Sequence, residues 1–252
     1  MNVILVGGSS RSTWIVANAL GHDITLDAIV VEDSDSLIRF VRRRAAKFGW
    51  WYAGSQIIFS LYIRLPWQRS NQRRDEIAAE NEWSVSEPES PVVMRVPSIN
   101  SDAALSLLQK LAPKVIVVNG TRIISQRILE GVDACFINMH AGITPKYRGV
   151  HGGYWALANG DSANAGVTVH LVDPGIDTGG ILYQARITPT SRDNFCTYPY
   201  LQLAAGIPLL KRAVRDALEG KLQTVANGLP SRLYSHPTIW EYLKNRIRRG
   251  VK

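Results

Sequence analysis

The run Cys135-Phe136-Ile137-Asn138-Met139-His140 constrains this chain more than any other stretch. Its apolar start reads as a buried strand, and residues two apart in a strand project from the same face. Asn138 and His140 therefore share a face, while Met139 turns into packing. Ala141-Gly142 ends the strand, and Pro145 and Gly149 keep the next segment irregular. Polar side chains carried past the end of a buried strand stand where open α/β sheets hold their ligands. Taken alone, His140 reads equally well as a core histidine satisfied by a backbone carbonyl.

A second stretch shifts that balance. Gly166 to Leu171 alternates as a strand, with Val167, Val169 and Leu171 filling one side. It opens into Asp173-Pro174-Gly175-Ile176-Asp177-Thr178-Gly179-Gly180, then resumes as a strand from Ile181 to Ile187. Glycines in such a loop let backbone approach a ligand closely. Asp173, next to proline, is the natural turn former. Asp177 stands deeper in the loop and is the better candidate for chemistry.

The rest of the chain fits an α/β order. Asn2 to Val6 is a short buried strand, Gly7-Gly8-Ser9-Ser10 a tight loop, and Arg11 to Leu20 a helix. Loop amides at a helix start can bind phosphate, yet neither the dinucleotide fingerprint nor the phosphate-loop lysine is present. Leu26 to Val31 is a second strand, and the acidic Glu32 to Asp35 segment reads as a cap for the next helix. Lys114 to Val118 is an apolar strand of the parallel type, followed by Asn119-Gly120-Thr121-Arg122-Ile123-Ile124. In the long segment from Thr197 to Glu219 a helix is expected, with a kink or fresh start at Pro208. A short helix from Ile239 to Leu243 and a solvated basic end close the chain.

Residues 37–83 depart from this order. A basic run, Arg42-Arg43-Arg44 and Lys47, leads into the apolar Trp50 to Ile63, flanked by Arg64, Arg69, Arg73 and Arg74. The apolar part is shorter than the roughly 20 residues a membrane span needs. Packed helices over the domain are the favoured reading, against an oligomer contact or a membrane-surface segment.

At 252 residues and a net charge of +8, the chain suits one α/β domain with acidic partners, whether phosphates, RNA or a membrane surface. Two cysteines make no disulfide framework, and the N-terminus reads as a strand rather than a signal peptide, so a cytoplasmic setting is expected. The expected layout is a catalytic domain over 1–220 and an extension over 221–252.

Asn138-Met-His140, then Pro145-x-x-Arg148-Gly149, then Asp177-Thr-Gly resemble the signature of the formyltransferases that use 10-formyltetrahydrofolate. That family includes enzymes acting on glycinamide ribonucleotide, methionyl-tRNA and nucleotide-linked amino sugars. The resemblance implies a Rossmann-like, mostly parallel twisted sheet with helices on both faces. It also implies catalytic positions at Asn138, His140 and Asp177, with no metal required. It places the folate ring against Arg122, Ile123 and Ile124, with Asp173 as a further cofactor contact. Gly8, Ser9 and Ser10 fall on the substrate side. Lys146 and Arg148 are either surface charges or, for an anionic substrate, a phosphate contact and a loop brace, and His151 is a candidate for a second polar contact in the cleft.

The residue types suit formyl transfer. An Asn amide can hold a growing oxyanion, a histidine can shuttle a proton, and an aspartate can orient and charge-stabilise that histidine. For the acceptor, Ala141-Gly142 and Asp177-Thr178-Gly179 look more like the tRNA and amino-sugar branches than the glycinamide ribonucleotide branch. The residues after Glu219 are too few for the β-barrel of a methionyl-tRNA enzyme. A nucleotide-linked amino sugar is therefore expected, with glycinamide ribonucleotide second, no tRNA, and a homodimer among the expected assemblies. A folate-dependent hydrolase, or a nucleic-acid or membrane-surface module on the same fold, are the competing readings.

Overall fold

The computed structural model describes residues 2–34, 37–65 and 68–252. Asp35 of the acidic segment lies outside them, as do the side chains of Arg43 and Arg69.

Strands β1 (Val3–Gly8), β2 (Ala28–Glu32), β3 (Val93–Val96), β4 (Val115–Asn119) and β5 (Cys135–His140) run parallel. They alternate with helices α1 (Arg11–Gly21), α2 (Leu37–Phe48), α3 (Trp50–Tyr62), α4 (Gln68–Glu80), α5 (Asp102–Leu111) and α6 (Gln126–Gly131). The two-residue strand β6 (Arg148–Gly149), helix α7 (Gly152–Ala158) and strands β7 (Gly166–Leu171) and β8 (Ile181–Arg186) come next. Helix α8 (Tyr198–Leu218), strand β9 (Leu233–Tyr234) and helix α9 (Ile239–Arg249) complete the chain. The main sheet has the order β3-β2-β1-β4-β5-β7-β8, with β7 and β8 antiparallel at one edge. The strand order reverses between β1 and β4, which opens a crevice at their carboxyl ends. This is the Rossmann-like sheet implied by the resemblance.

Strand alternation sorts the core into two layers. Val3, Leu5, Ile29, Val117, Ile137 and Val169 pack under α1 and α8, while Ile4, Val6, Val30, Ile116, Val118 and Phe136 pack under α5 and α6. Met139 takes the first layer, where Gly206 of α8 leaves it room: a Cβ there would meet its sulfur at 2.5 Å. Asn138 and His140 therefore emerge with the opposite layer.

Three features depart from the local reading. Helix α8 makes no fresh start at Pro208 but continues through it, with that residue on the exposed face, where water can satisfy the carbonyl freed by the missing N–H. Glu32, at the start of the acidic segment, turns inward, 5% exposed, and accepts from Ile99 N at 3.0 Å and from Arg122 N and Nη1 at 2.5 and 2.6 Å, while the cap expected from that segment falls next to α2, outside the described residues. The basic end is ordered as α9, started by a capping box in which Thr238 and Glu241 satisfy each other's backbone.

The tail also returns to the sheet's carboxyl edge. Its strand β9 pairs in parallel with β6, matching Arg148 to Leu233 and Gly149 to Tyr234. Residues 221–252 thus clamp the loop after β5.

Candidate active site

The loop after β5 is held by the neighbouring strand. Thr168 Oγ1 donates to Gly142 O (2.7 Å) and accepts from Thr144 N (3.0 Å). Gly142 must be glycine, since a Cβ would lie 2.4 Å from Tyr147 O and 2.7 Å from His140 Nε2.

Within this frame four side chains converge. His140 is 6% exposed, and its Nε2–H donates to Tyr147 O at 2.7 Å. A carbonyl can only accept, so Nδ1 is left facing Asp177 Oδ2 at 3.4 Å. Asp177 adopts a left-handed backbone, φ 50°, a region where aspartate is better tolerated than most residues. Its Oδ2 accepts from Gly149 N at 2.8 Å, and its Oδ1 stands 3.7 Å from His170 Nε2. His170 donates through Nδ1 to Leu171 O at 2.6 Å, so its Nε2 is free to accept from Asn138 Nδ2 at 3.1 Å. That bond uses one of the two amide hydrogens of Asn138.

Electrostatics poise the pair. Burial pushes His140 below the ordinary histidine value of about 6.5, outweighing Asp177 and the Tyr147 carbonyl, and His170 adds to the same direction. Burial would raise Asp177, but the attraction of His170 and His140 when either ring is protonated, together with the Gly149 N–H, holds it below the usual carboxylate range. A neutral imidazole thus faces a carboxylate, ready to take a proton at Nδ1.

The remaining candidates are distributed along the same edge. Gly8 ends β1, and Ser9 and Ser10 form the turn into α1, which Ser10 caps by accepting from Thr13 N at 3.4 Å. The N–H of Arg122 is committed to Glu32, and the Ile123 carbonyl accepts from Asn100 Nδ2 at 2.9 Å. The Ile123 side chain is exposed and Ile124 is buried. Asp173 Oδ1 accepts from Gly175 N and Thr178 Oγ1, at 3.1 and 2.7 Å, which organises its own loop. Arg148 stands beside the cluster, donating to Ile176 O at 3.1 Å, while its buried Nε meets no partner among the described residues. Lys146 instead turns to Asp161, at 2.6 Å.

His151 starts α7 with φ 58° and lies 2.9 Å from His236, its ring packed on Phe195 at 4.3 Å. Burial and then its partner hold His151 down at about 3, and burial with Arg44 holds His236 at about 4. Both take up protons near pH 6.5 once unfolded. Their stabilisation is therefore whole above about pH 6.5 and is lost as pH falls toward 4 and then 3. Each should cost about 1.4 kcal/mol per pH unit in that window. Urea unfolding between about pH 7 and pH 5 should show this slope; the idea fails if His236→Gln leaves the slope unchanged.

Sequence reasoning passed over His170, although the alternation that buries Val167 and Val169 already placed Thr168 and His170 on the opposite face. It also missed two backbone contributors, Tyr147 O and Gly149 N, for which sequence carries no direct signal. A cavity of about 450 Å³ between α3, α4 and α9 contains none of the four clustered residues, so the site is assigned by its donors rather than by concavity.

An open, Rossmann-like α/β sheet with an Asn, two His and an Asp gathered at its carboxyl edge defines the class of this protein. The chain belongs to the formyl transferase family, whose sequence model matches residues 68–198. It is 35% identical over 124 residues to a methionyl-tRNA formyltransferase of Syntrophus aciditrophicus (strain SB), covering 49% of this chain and 39% of that protein. The chain thus matches about two fifths of that curated relative's length. Its fold matches the N-formyltransferase from Helicobacter canadensis, solved in complex with folinic acid and dTDP-3-aminofucose. That likeness has TM-score 0.55 and 17% identity, covering 93% of this chain and 71% of that one. It also matches phosphoribosylglycinamide formyltransferase from Streptococcus pneumoniae TIGR4, with TM-score 0.54 and 18% identity, covering 86% and 99%.

Proposed function

We propose that this chain transfers a formyl group from 10-formyltetrahydrofolate to a primary amine, carried by a nucleotide-linked sugar. The observation that carries the reading is the convergence of Asn138, His140, His170 and Asp177 at the sheet's carboxyl edge. The segment after β4 leaves room for a folate ring: a Cβ at Gly120 would meet nothing within 4 Å, and the exposed Ile123 offers an apolar surface there.

The folate supplies an activated formyl carbon as substrate. As the amine attacks, a new C–N bond forms, the bond to the folate nitrogen breaks, and negative charge grows on the formyl oxygen. The second amide hydrogen of Asn138 answers that charge, with His170 holding the amide in orientation. The amine's proton goes to His140 Nδ1, Asp177 stabilises the imidazolium so formed, and the imidazolium then gives that proton to the departing folate nitrogen. Arg148 beside the cluster supplies a cation for an anionic acceptor. Asn138→Ala should lower kcat by about a hundred- to a thousandfold, read by stopped-assay formyl transfer. Unchanged turnover would remove Asn138 from the mechanism.

The acceptor is supported by the Ala141-Gly142 and Asp177-Thr178-Gly179 pattern and by the amino-sugar ligand of the Helicobacter relative. A second reading, methionyl-tRNA, is favoured by the 35% identity over 124 residues to the Syntrophus enzyme of that name. Incubation with 10-formyltetrahydrofolate and a panel of nucleotide-linked amino sugars, glycinamide ribonucleotide and methionyl-tRNA should give one added formyl group on an amino sugar by mass spectrometry. Formylation of tRNA or of glycinamide ribonucleotide alone would replace that acceptor. Folate consumption with no amine modified would point to hydrolysis.

A further inference from the structure

The hairpin of α2 and α3 presents an apolar face that nothing among the described residues covers. Its inner side already has partners: Phe59 packs edge-on to Phe195 at 4.9 Å and against Tyr242 at 5.1 Å, and Gln56 donates to the His236 carbonyl. The outer face is therefore not a displaced core surface. Along it Trp50 and Trp51 are 71% and 85% exposed, and Ile58 and Leu61 continue the face at helical spacing, 55% and 60% exposed. Leu65 extends the stripe into the next turn. Among the described residues, nine of the thirteen large exposed hydrophobic side chains lie on α2, α3, that turn and α9.

Charge identifies the occupant. Between Asp35 and Asp75 the sequence has nine Lys and Arg residues and no acidic one, and α3 itself carries no charge. Arg42, Lys47 and Arg64 are exposed at the margins of the stripe. A second copy of the chain would place this acid-free basic surface against itself under two-fold symmetry, so repulsion opposes a dimer here. RNA would meet the cations but gain nothing from the aliphatic Ile58 and Leu61. A lipid interface takes all three components: tryptophans at headgroup level, aliphatics beneath, and cations on lipid phosphate. With 13 residues, α3 reaches about 20 Å, short of the roughly 30 Å hydrocarbon layer, so the contact is with the surface.

We propose that the α2–α3 hairpin docks this protein on an anionic lipid surface, with Trp50, Trp51, Ile58 and Leu61 entering the interface and Arg42, Lys47 and Arg64 meeting lipid phosphates. The proposal is independent of which amine is formylated. Co-sedimentation of the full chain with phosphatidylcholine vesicles, with and without about one third phosphatidylglycerol, tests it. Binding is expected on the anionic vesicles, falling steeply with salt. The Trp50→Ser/Trp51→Ser variant should weaken partitioning by about tenfold or more. Arg42→Gln and Lys47→Gln should each weaken it by about fivefold. Circular dichroism establishes that each variant is folded. Failure of the folded chain to bind anionic vesicles overturns the proposal, as does full binding by the double tryptophan variant. Two other results also overturn it: a tryptophan-dependent dimer in sedimentation velocity without vesicle binding, or binding confined to RNA.

Discussion

His140→Ala is expected to lower kcat for formyl transfer by about a thousandfold while changing donor affinity by no more than about threefold. The imidazole sits where it can receive the amine's proton: Nε2–H is committed to Tyr147 O, and only Nδ1 faces Asp177. Its removal takes away the proton acceptor but leaves intact the segment that follows the neighbouring strand β4, from Gly120 to Ile124. The wild-type rate should fall as pH drops through the folded-state value of His140, because a protonated Nδ1 cannot act as base. Burial places that midpoint below about 6.5. Steady-state kinetics across pH, with donor binding followed by fluorescence quenching, decide the matter. A variant that turns over at the wild-type rate would exclude His140 as the base.

Gly149→Ala should destabilise the protein by about 2–4 kcal/mol and remove most activity. Gly149 has φ 92°, and a Cβ would lie 2.2 Å from Tyr234 O, the acceptor for Val150 N in the pairing with β9. Moving this segment also withdraws the N–H that Asp177 Oδ2 accepts. Gly120→Ala is the control: it has φ 66° with open space around the new methyl, and should cost only about 1 kcal/mol. Denaturant midpoints of the two variants, measured side by side, give the answer. Equal costs would show that the contact with β9 carries no weight.

Alternation and spacing made much of this molecule legible. The apolar starts of β1, β4 and β5, the outward Asn138 and His140, and the glycine loop bearing Asp177 are local patterns, fixed by a strand's two-residue repeat and by turn chemistry. The fresh start considered at Pro208 does not occur, since on an exposed face water can replace the lost hydrogen bond, and exposure is not written in the local sequence. The inward turn of Glu32 was not legible for a related reason, since the donors to its carboxylate, Ile99 and Arg122, lie far along the chain.

Sequence alone determined the strand β5 and the outward placement of Asn138 and His140, from a two-residue repeat, and the glycine loop bearing Asp177, from turn chemistry, while the order of the sheet was implied only by the resemblance. The tertiary structure decided what surrounds them. Pairing of β5 with β7 brings His170 opposite Asn138; the returning tail lays Tyr234 against Gly149; and the fold leaves the tryptophan face of α3 uncovered. Those arrangements depend on contacts between segments tens of residues apart, whose energies no local pattern records.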